Sequence, residues 1–144
     1  MPYDPLLGPI VTLVAWSILM MFWMIAVRLP AMKKVGIDLK TRVGSRPGLL
    51  DGVVDDKAQW KAHNYIHLME QPTLFYAIVF ALILMGQNFV INVWLAWGYV
   101  GLRIAHSIVQ ATWNRILVRF ILFALSSLCL LALTVHAAIP LVHG

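Results

Sequence analysis

A chain of 144 residues in which 61% are hydrophobic and 12% charged is not built like a water-soluble domain. Its length suits one domain. The formal charge of +5 does not point to nucleic acid, because the cations are sorted along the chain in the way a membrane sorts them. The single cysteine, Cys129, falls inside an apolar run and has no intrachain partner; it reads as a small packing residue and excludes a disulfide framework.

The first apolar run covers residues 6–27. It follows Asp4 rather than a basic segment, is too long for a signal-peptide core, and ends in Arg28-Leu29-Pro30, so it reads as a retained transmembrane helix. Pro5 and Pro9 sit in its first turns, where a missing N–H is tolerated. Residues 29–56 form the long polar connection. Gly36, Gly44, Pro47, Gly48 and Gly52 break any helical pattern there, and Lys33, Lys34, Lys40, Arg42 and Arg46 make it basic against Asp38 and Asp51. It reads as a cytoplasmic loop against anionic lipid heads, with Arg28, at the membrane border, the residue best placed to meet a ligand.

Asp55 and Asp56 suit the start of a second helix over residues 57–85. About 30 residues at 1.5 Å each span roughly 45 Å, more than the ~30 Å hydrocarbon core, so its first turns should project into the cytoplasm. Pro72 lies inside it and is expected to kink it, freeing the Leu68 carbonyl. Gly86-Gln87-Asn88 signals a short turn into a third helix over 89–113. Asn114-Arg115 separates this from a fourth helix over 116–141. The expected fold is an all-α integral membrane protein, a bundle of four transmembrane helices.

Of the eleven Lys and Arg, eight fall between Arg28 and Lys61, and Arg115 and Arg119 flank the third connection. The positive-inside rule then makes both connections cytoplasmic and both termini non-cytoplasmic. Trp60 and Trp113 would mark the cytoplasmic interface, and Trp94 and Trp97 the opposite half.

Two helices carry polar faces. His63, His67 and Glu70 follow i, i+4, i+7 spacing, and Arg103, His106 and Gln110 follow i, i+3, i+7, so each set shares a face. Glu70 lies about 13 Å beyond Lys61 and Arg103 about 15 Å before Trp113. A Glu70–Arg103 ion pair is expected, with His67 near His106. Ionisable groups at such depth are costly and mark function by default. Alone, the pair also fits a helix-to-helix clamp; the whole cluster fits a polar cavity open to the cytoplasm. His63, His67, Glu70 and His106 are metal-ligand types, but Arg103 at the same depth would repel a divalent cation and no carboxylate orients the histidines. Ser107 faces about 100° away from its neighbour His106 and has no acid in line, which argues against a hydrolase triad.

At His67-Leu-Met-Glu70-Gln-Pro72, Arg103-Ile-Ala-His106, Arg115 and Arg119 the chain resembles the MAPEG superfamily, the membrane-associated proteins of eicosanoid and glutathione metabolism. The resemblance covers nearly the whole chain. It implies a homotrimer of four-helix subunits with glutathione bound between neighbours in the cytoplasmic half. Basic residues there hold the tripeptide carboxylates, a helix-two glutamate holds its amino group, and an arginine opening helix four stabilises the thiolate. By position this gives binding roles to Arg28, His63, His67, Glu70, Arg103, His106 and Gln110, and the thiolate role to Arg119, then Arg115. The chain departs from the family pattern at His63 and Ile66, where relatives carry arginines, at His67 in place of an asparagine, and at Gln110 in place of a tyrosine. Two readings follow: a glutathione- or other thiol-dependent transferase or peroxidase acting on a lipophilic electrophile, or a non-catalytic trimeric scaffold or accessory subunit of a larger membrane complex.

Overall fold

The computed structural model describes residues 3–36 and 55–144. Lys40, Arg42, Arg46, Asp38 and Asp51, with most of the expected basic loop, lie outside the described residues.

Five helical segments make up the described chain: α1 (Leu7–Lys34), α2 (Asp56–Met69), α3 (Gln71–Leu84), α4 (Val90–Thr112) and α5 (Ile116–His143). Three stretches are long and apolar enough to cross a membrane, namely α1, the α2–α3 pair (Asp56–Leu84) and α5. The remaining helix, α4, owes its lower apolarity to an inward polar face: Asn92, Arg103, His106, Ser107 and Gln110 are all buried. It packs against α1, α2 and α5 and is the centre of the bundle.

The ends follow local chemistry. Asp4 opens α1 by accepting the Leu6 N–H on its carboxylate (2.9 Å) and the Leu7 N–H on its carbonyl (3.0 Å). Helix α1 does not stop near Pro30, as the sequence suggests, but runs through it to Lys34. Two things sustain the last turn. Val27, Ala31 and Met32 pack on Ala58 of α2, and Lys33 and Lys34 sit at the negative end of the helix dipole. The connection therefore begins later than residue 29.

The long second helix is divided. At Glu70 the backbone leaves the helical region (φ −88°, ψ −97°), and α3 restarts with Pro72 in its first turn, where its missing N–H costs nothing. The expected kink is thus a full break two residues upstream of the proline. Across it, Thr73 Oγ donates to the Glu70 carbonyl at 2.7 Å, and the Glu70 N–H reaches the His67 carbonyl at 3.2 Å.

Gly86 closes α3 at φ +69°. Its N–H bonds the Ile83 carbonyl (3.1 Å) and the Gln87 N–H bonds the Leu82 carbonyl (2.8 Å), the Schellman pattern that needs a left-handed residue. Asn114 takes the left-handed conformation at the turn between α4 and α5, at φ 53°, a conformation asparagine tolerates better than other side chains. These two tight turns set α3, α4 and α5 side by side.

The core includes Leu13, Leu68, Phe75, Val79, Leu82, Tyr99, Val100 and Leu133, each at most 1% exposed. Phe75 and Tyr99 stack with centroids 4.4 Å apart and planes within 10°. Within lipid there is no hydrophobic drive between helices, so such interlocking and interhelical hydrogen bonds hold the bundle. Gly8 permits a close α1–α4 approach: a β-carbon there would lie 2.9 Å from the Trp97 ring.

Candidate functional site

Arg103 is 1% exposed. Its Nη2 donates to the His67 carbonyl at 3.3 Å, an oxygen at the end of α2 just before the break. The expected pairing with Glu70 is replaced by this backbone contact. Because the chain leaves the helix at Glu70, the carboxylate turns outward, where the side chain is 62% exposed and lies 3.9 Å from His67 Nδ1. That is a charge contact only when the imidazole is protonated, and it is too long for a hydrogen bond. The carbonyl that gains a side-chain partner is therefore that of His67; the sequence pointed to Leu68.

The two histidines do meet. His67, half-buried, and His106, 5% exposed, have ring centroids 6.0 Å apart. Glu70, Arg103, Arg119 and His63 all lie close enough to act electrostatically on the His67 ring, and Arg103 and Arg119 act likewise on His106. One end of the bundle thus gathers six of the nine residues singled out from sequence: His63, His67, Glu70, Arg103, His106 and Arg119. Gln110 is 2% exposed, on the inward face of α4.

The other arginines sit differently. Arg119 Nη1 donates to Asn114 Oδ1 at 2.7 Å, while its Nε is buried without a partner among the described residues. The left-handed turn thus presents the first turn of α5 and also holds its guanidinium. Arg115 is exposed and lies over the Trp113 ring, 5.1 Å from the centroid, a contact suited to an interfacial anchor. Arg28 is half-buried near the end of α1, with Nε buried and also unpartnered among the described residues. On the same end, Lys61 Nζ lies 5.3 Å from the Trp23 ring.

Sequence reasoning missed the polar contacts that lock this end. Trp16 Nε1 donates to Ser107 Oγ at 2.9 Å, and Ser107 donates in turn to Asn64 Oδ1 at 2.6 Å, tying α1, α4 and α2 together. Tyr99 Oη donates to Gln71 Oε1 (3.1 Å) and Gln71 Nε2 to Ser127 Oγ (2.9 Å), linking α4, α3 and α5. The signal for Asn64 was present: it lies four residues before Leu68, on the stripe beside His63 and His67, and that neighbouring stripe is the one turned fully inward. No group of three or more His, Cys, Asp or Glu among the described residues has the arrangement needed to hold a metal ion.

An opening lies between α1 and the α2–α3 break, a cavity of about 290 Å³ lined by Val14, Ser17, Ile18, Met21, Tyr65, Met69 and Tyr76. Its wall is almost wholly apolar.

Compared with known proteins, residues 6–139 match the model of the MAPEG family. No curated protein and no solved structure matches the chain.

Proposed function

Since the chain belongs to the MAPEG family, we propose that it is a glutathione- or related thiol-dependent transferase or peroxidase of lipophilic electrophiles, working as a homotrimer of four-span subunits with both termini on the non-cytoplasmic side. The observation that carries this is Arg119. Its guanidinium is fixed by Asn114 at the start of α5, within electrostatic range of His67 and His106, and its buried Nε–H has no partner among the described residues.

The residues fit a thiol tripeptide. A fixed guanidinium stabilises thiolate over thiol and so raises the nucleophilic fraction. The outward carboxylate of Glu70, beside His67, suits an ammonium group, and Arg28, whose Nε–H has no partner among the described residues, suits a carboxylate. The thiolate sulfur attacks the electrophilic centre of a greasy substrate arriving from the bilayer and forms a thioether, while the leaving group or opened-ring oxygen takes the electron pair. Arg115, exposed on Trp113, is the lesser candidate for the thiolate role. His63, His106 and Gln110 complete the wall.

Titration of the purified protein with glutathione, followed by thiolate ultraviolet absorbance, tests the proposal. Wild type should bind and show thiolate; Arg119→Ala should bind but lose the thiolate signal, and Glu70→Gln should weaken binding. Absence of binding at millimolar glutathione would sink the transferase reading in favour of the trimeric scaffold, which keeps the same cluster as structure.

A further inference from the structure

The break at Glu70 opens a wedge. Helix α1 packs along α2 and on α4, whereas α3 turns away to α5 and scarcely meets α1. The cavity of about 290 Å³ lies in that wedge, between Val14, Ile18 and Met21 of α1, Tyr65 and Met69 of α2, and Tyr76 of α3. The three α1 residues follow i, i+4, i+7 spacing, a single stripe about 10 Å long. Spread along that stripe, the volume is about 5 Å across, one chain's width at carbon–carbon contacts of about 4 Å. Val14, Ile18 and Met69 are 40%, 47% and 42% exposed and belong to membrane-spanning stretches, so the mouth faces sideways into hydrocarbon. Polar demand inside is small. Ser17 Oγ donates to the Leu13 carbonyl of its own helix (2.9 Å), and Tyr76 Oη is buried beside Ser17 with no hydrogen-bond partner among the described residues. At ~30 Å³, one water bridging these hydroxyls takes about a tenth of the space. The rest has room for about nine more atoms of that size, set against carbon.

We infer that this cavity takes the unbranched aliphatic tail of the substrate, up to about ten carbons, and leaves the electrophilic head outside it beside Met69. Continuity with the polar end carries this assignment. Met69 lines the cavity and immediately precedes Glu70, whose carboxylate also turns outward. From there the α1 stripe leads inward: Met21 lies about 10 Å along the helix from Arg28, and Val14 about 21 Å. A tail in the slot therefore points its head back toward the residues assigned to the thiol tripeptide. The inference rests on the transferase reading above and adds a substrate class to it, an electrophile on a straight alkyl chain. A flat fused-ring system is too broad for a slot one chain wide.

Photolabelling of the purified protein tests the site without any reaction, in a sterol-based detergent that brings no alkyl chain of its own. The probe is dodecan-1-ol carrying a mid-chain diazirine. Label is expected on residues 14–21 and on Met69. Excess trans-2-dodecenal should reduce it several-fold and trans-2-hexenal much less. Ile18→Trp, at an exposed position where added bulk fills the mouth, should also reduce it several-fold; Val14→Phe is the second variant if that one fails to fold. With glutathione added, the thiolate sulfur bonds to the β-carbon of the alkenal, the electron pair passes to the carbonyl oxygen, and water protonates the α-carbon. Long chains lower the apparent KM by partitioning alone, so the informative quantity is the dodecenal-to-hexenal ratio of kcat/KM, which should fall several-fold from wild type to Ile18→Trp. Label spread evenly over the exposed apolar faces of α1 and α5, or unchanged in both variants, would overturn the inference. So would label from a phosphatidylcholine with a diazirine in its acyl chain that dodecenal cannot displace, because a bilayer lipid would then be the occupant. Cross-linking of Ile18 to a neighbouring subunit would overturn it too, by giving the space to a second copy. Glutathione binding without the tail label overturns this inference alone; the label without glutathione binding overturns the thiol reading and leaves the tail site standing.

Discussion

Asn114 does two jobs, and two substitutions separate them. It occupies the left-handed region at φ 53°, and its Oδ1 accepts the Arg119 guanidinium at 2.7 Å. Asn114→Gly keeps the backbone conformation and deletes only the side chain. A hydrogen bond to a charged group contributes about 1.5–3 kcal/mol; with Arg119 half-buried the lower end applies. If that energy fixes the guanidinium against a thiolate, glutathione conjugation should fall roughly tenfold, as 1.4 kcal/mol corresponds to one decade, with Tm lowered by a few degrees through the lost bond. Asn114→Ala removes the same bond and adds a left-handed penalty of about 1–2 kcal/mol, so it should show the same rate loss and a Tm drop roughly twice as large. The assay pairs thermal unfolding in detergent with conjugation of a lipophilic electrophile and the thiolate signal. If Asn114→Gly conjugates at the wild-type rate, Arg119 is not positioned through this contact and the argument built on it fails.

Three further outcomes follow from the packing. Gly8→Leu should separate α1 from α4, since even a β-carbon meets Trp97 at 2.9 Å; a loss of about 1–3 kcal/mol is expected, visible as a lower Tm and changed tryptophan emission, and an unaltered Tm would count against this close approach. Gln71→Leu removes both the Tyr99 and Ser127 bonds, each worth about 0.6 kcal/mol in a membrane bundle, so unfolding by denaturing detergent should come earlier by about 1 kcal/mol. Ser107→Ala should cost about as much and also shift the emission of Trp16, which loses its acceptor; emission identical to wild type would contradict that contact.

Three of the four expected spans were legible because span length is a property of the local apolar run, and the turns because Gly86 and Asn114 are residue types that left-handed backbone selects. The end of α1 was not. Proline at position 30 argues locally for a stop, but Val27, Ala31 and Met32 gain packing on Ala58, a partner distant in sequence. Depth along the bundle was also legible, since it depends only on rise per residue, and His67 and His106 do lie at one level. Azimuth was harder. Whether the stripe through His63 and Glu70 or the one through Asn64 faces inward depends on how α2 rolls against α4, and the Trp16–Ser107–Asn64 contacts settle that roll in favour of Asn64. Arg103 was placed at the right level but met a carbonyl exposed by the break rather than the acid beside it.

The break at Glu70 also divides mechanical allegiance. Helix α2 packs chiefly on α1 and α4, whereas α3 packs chiefly on α5. A continuous rod would force these two groups of helices to tilt together; two 14-residue pieces do not. Each piece is about 21 Å long, too short to cross the hydrocarbon core alone, so the halves are bound to one span yet free to lean differently within it. Glu70 sits at the joint, and any change in lean between the halves is felt first as a change in where its carboxylate points.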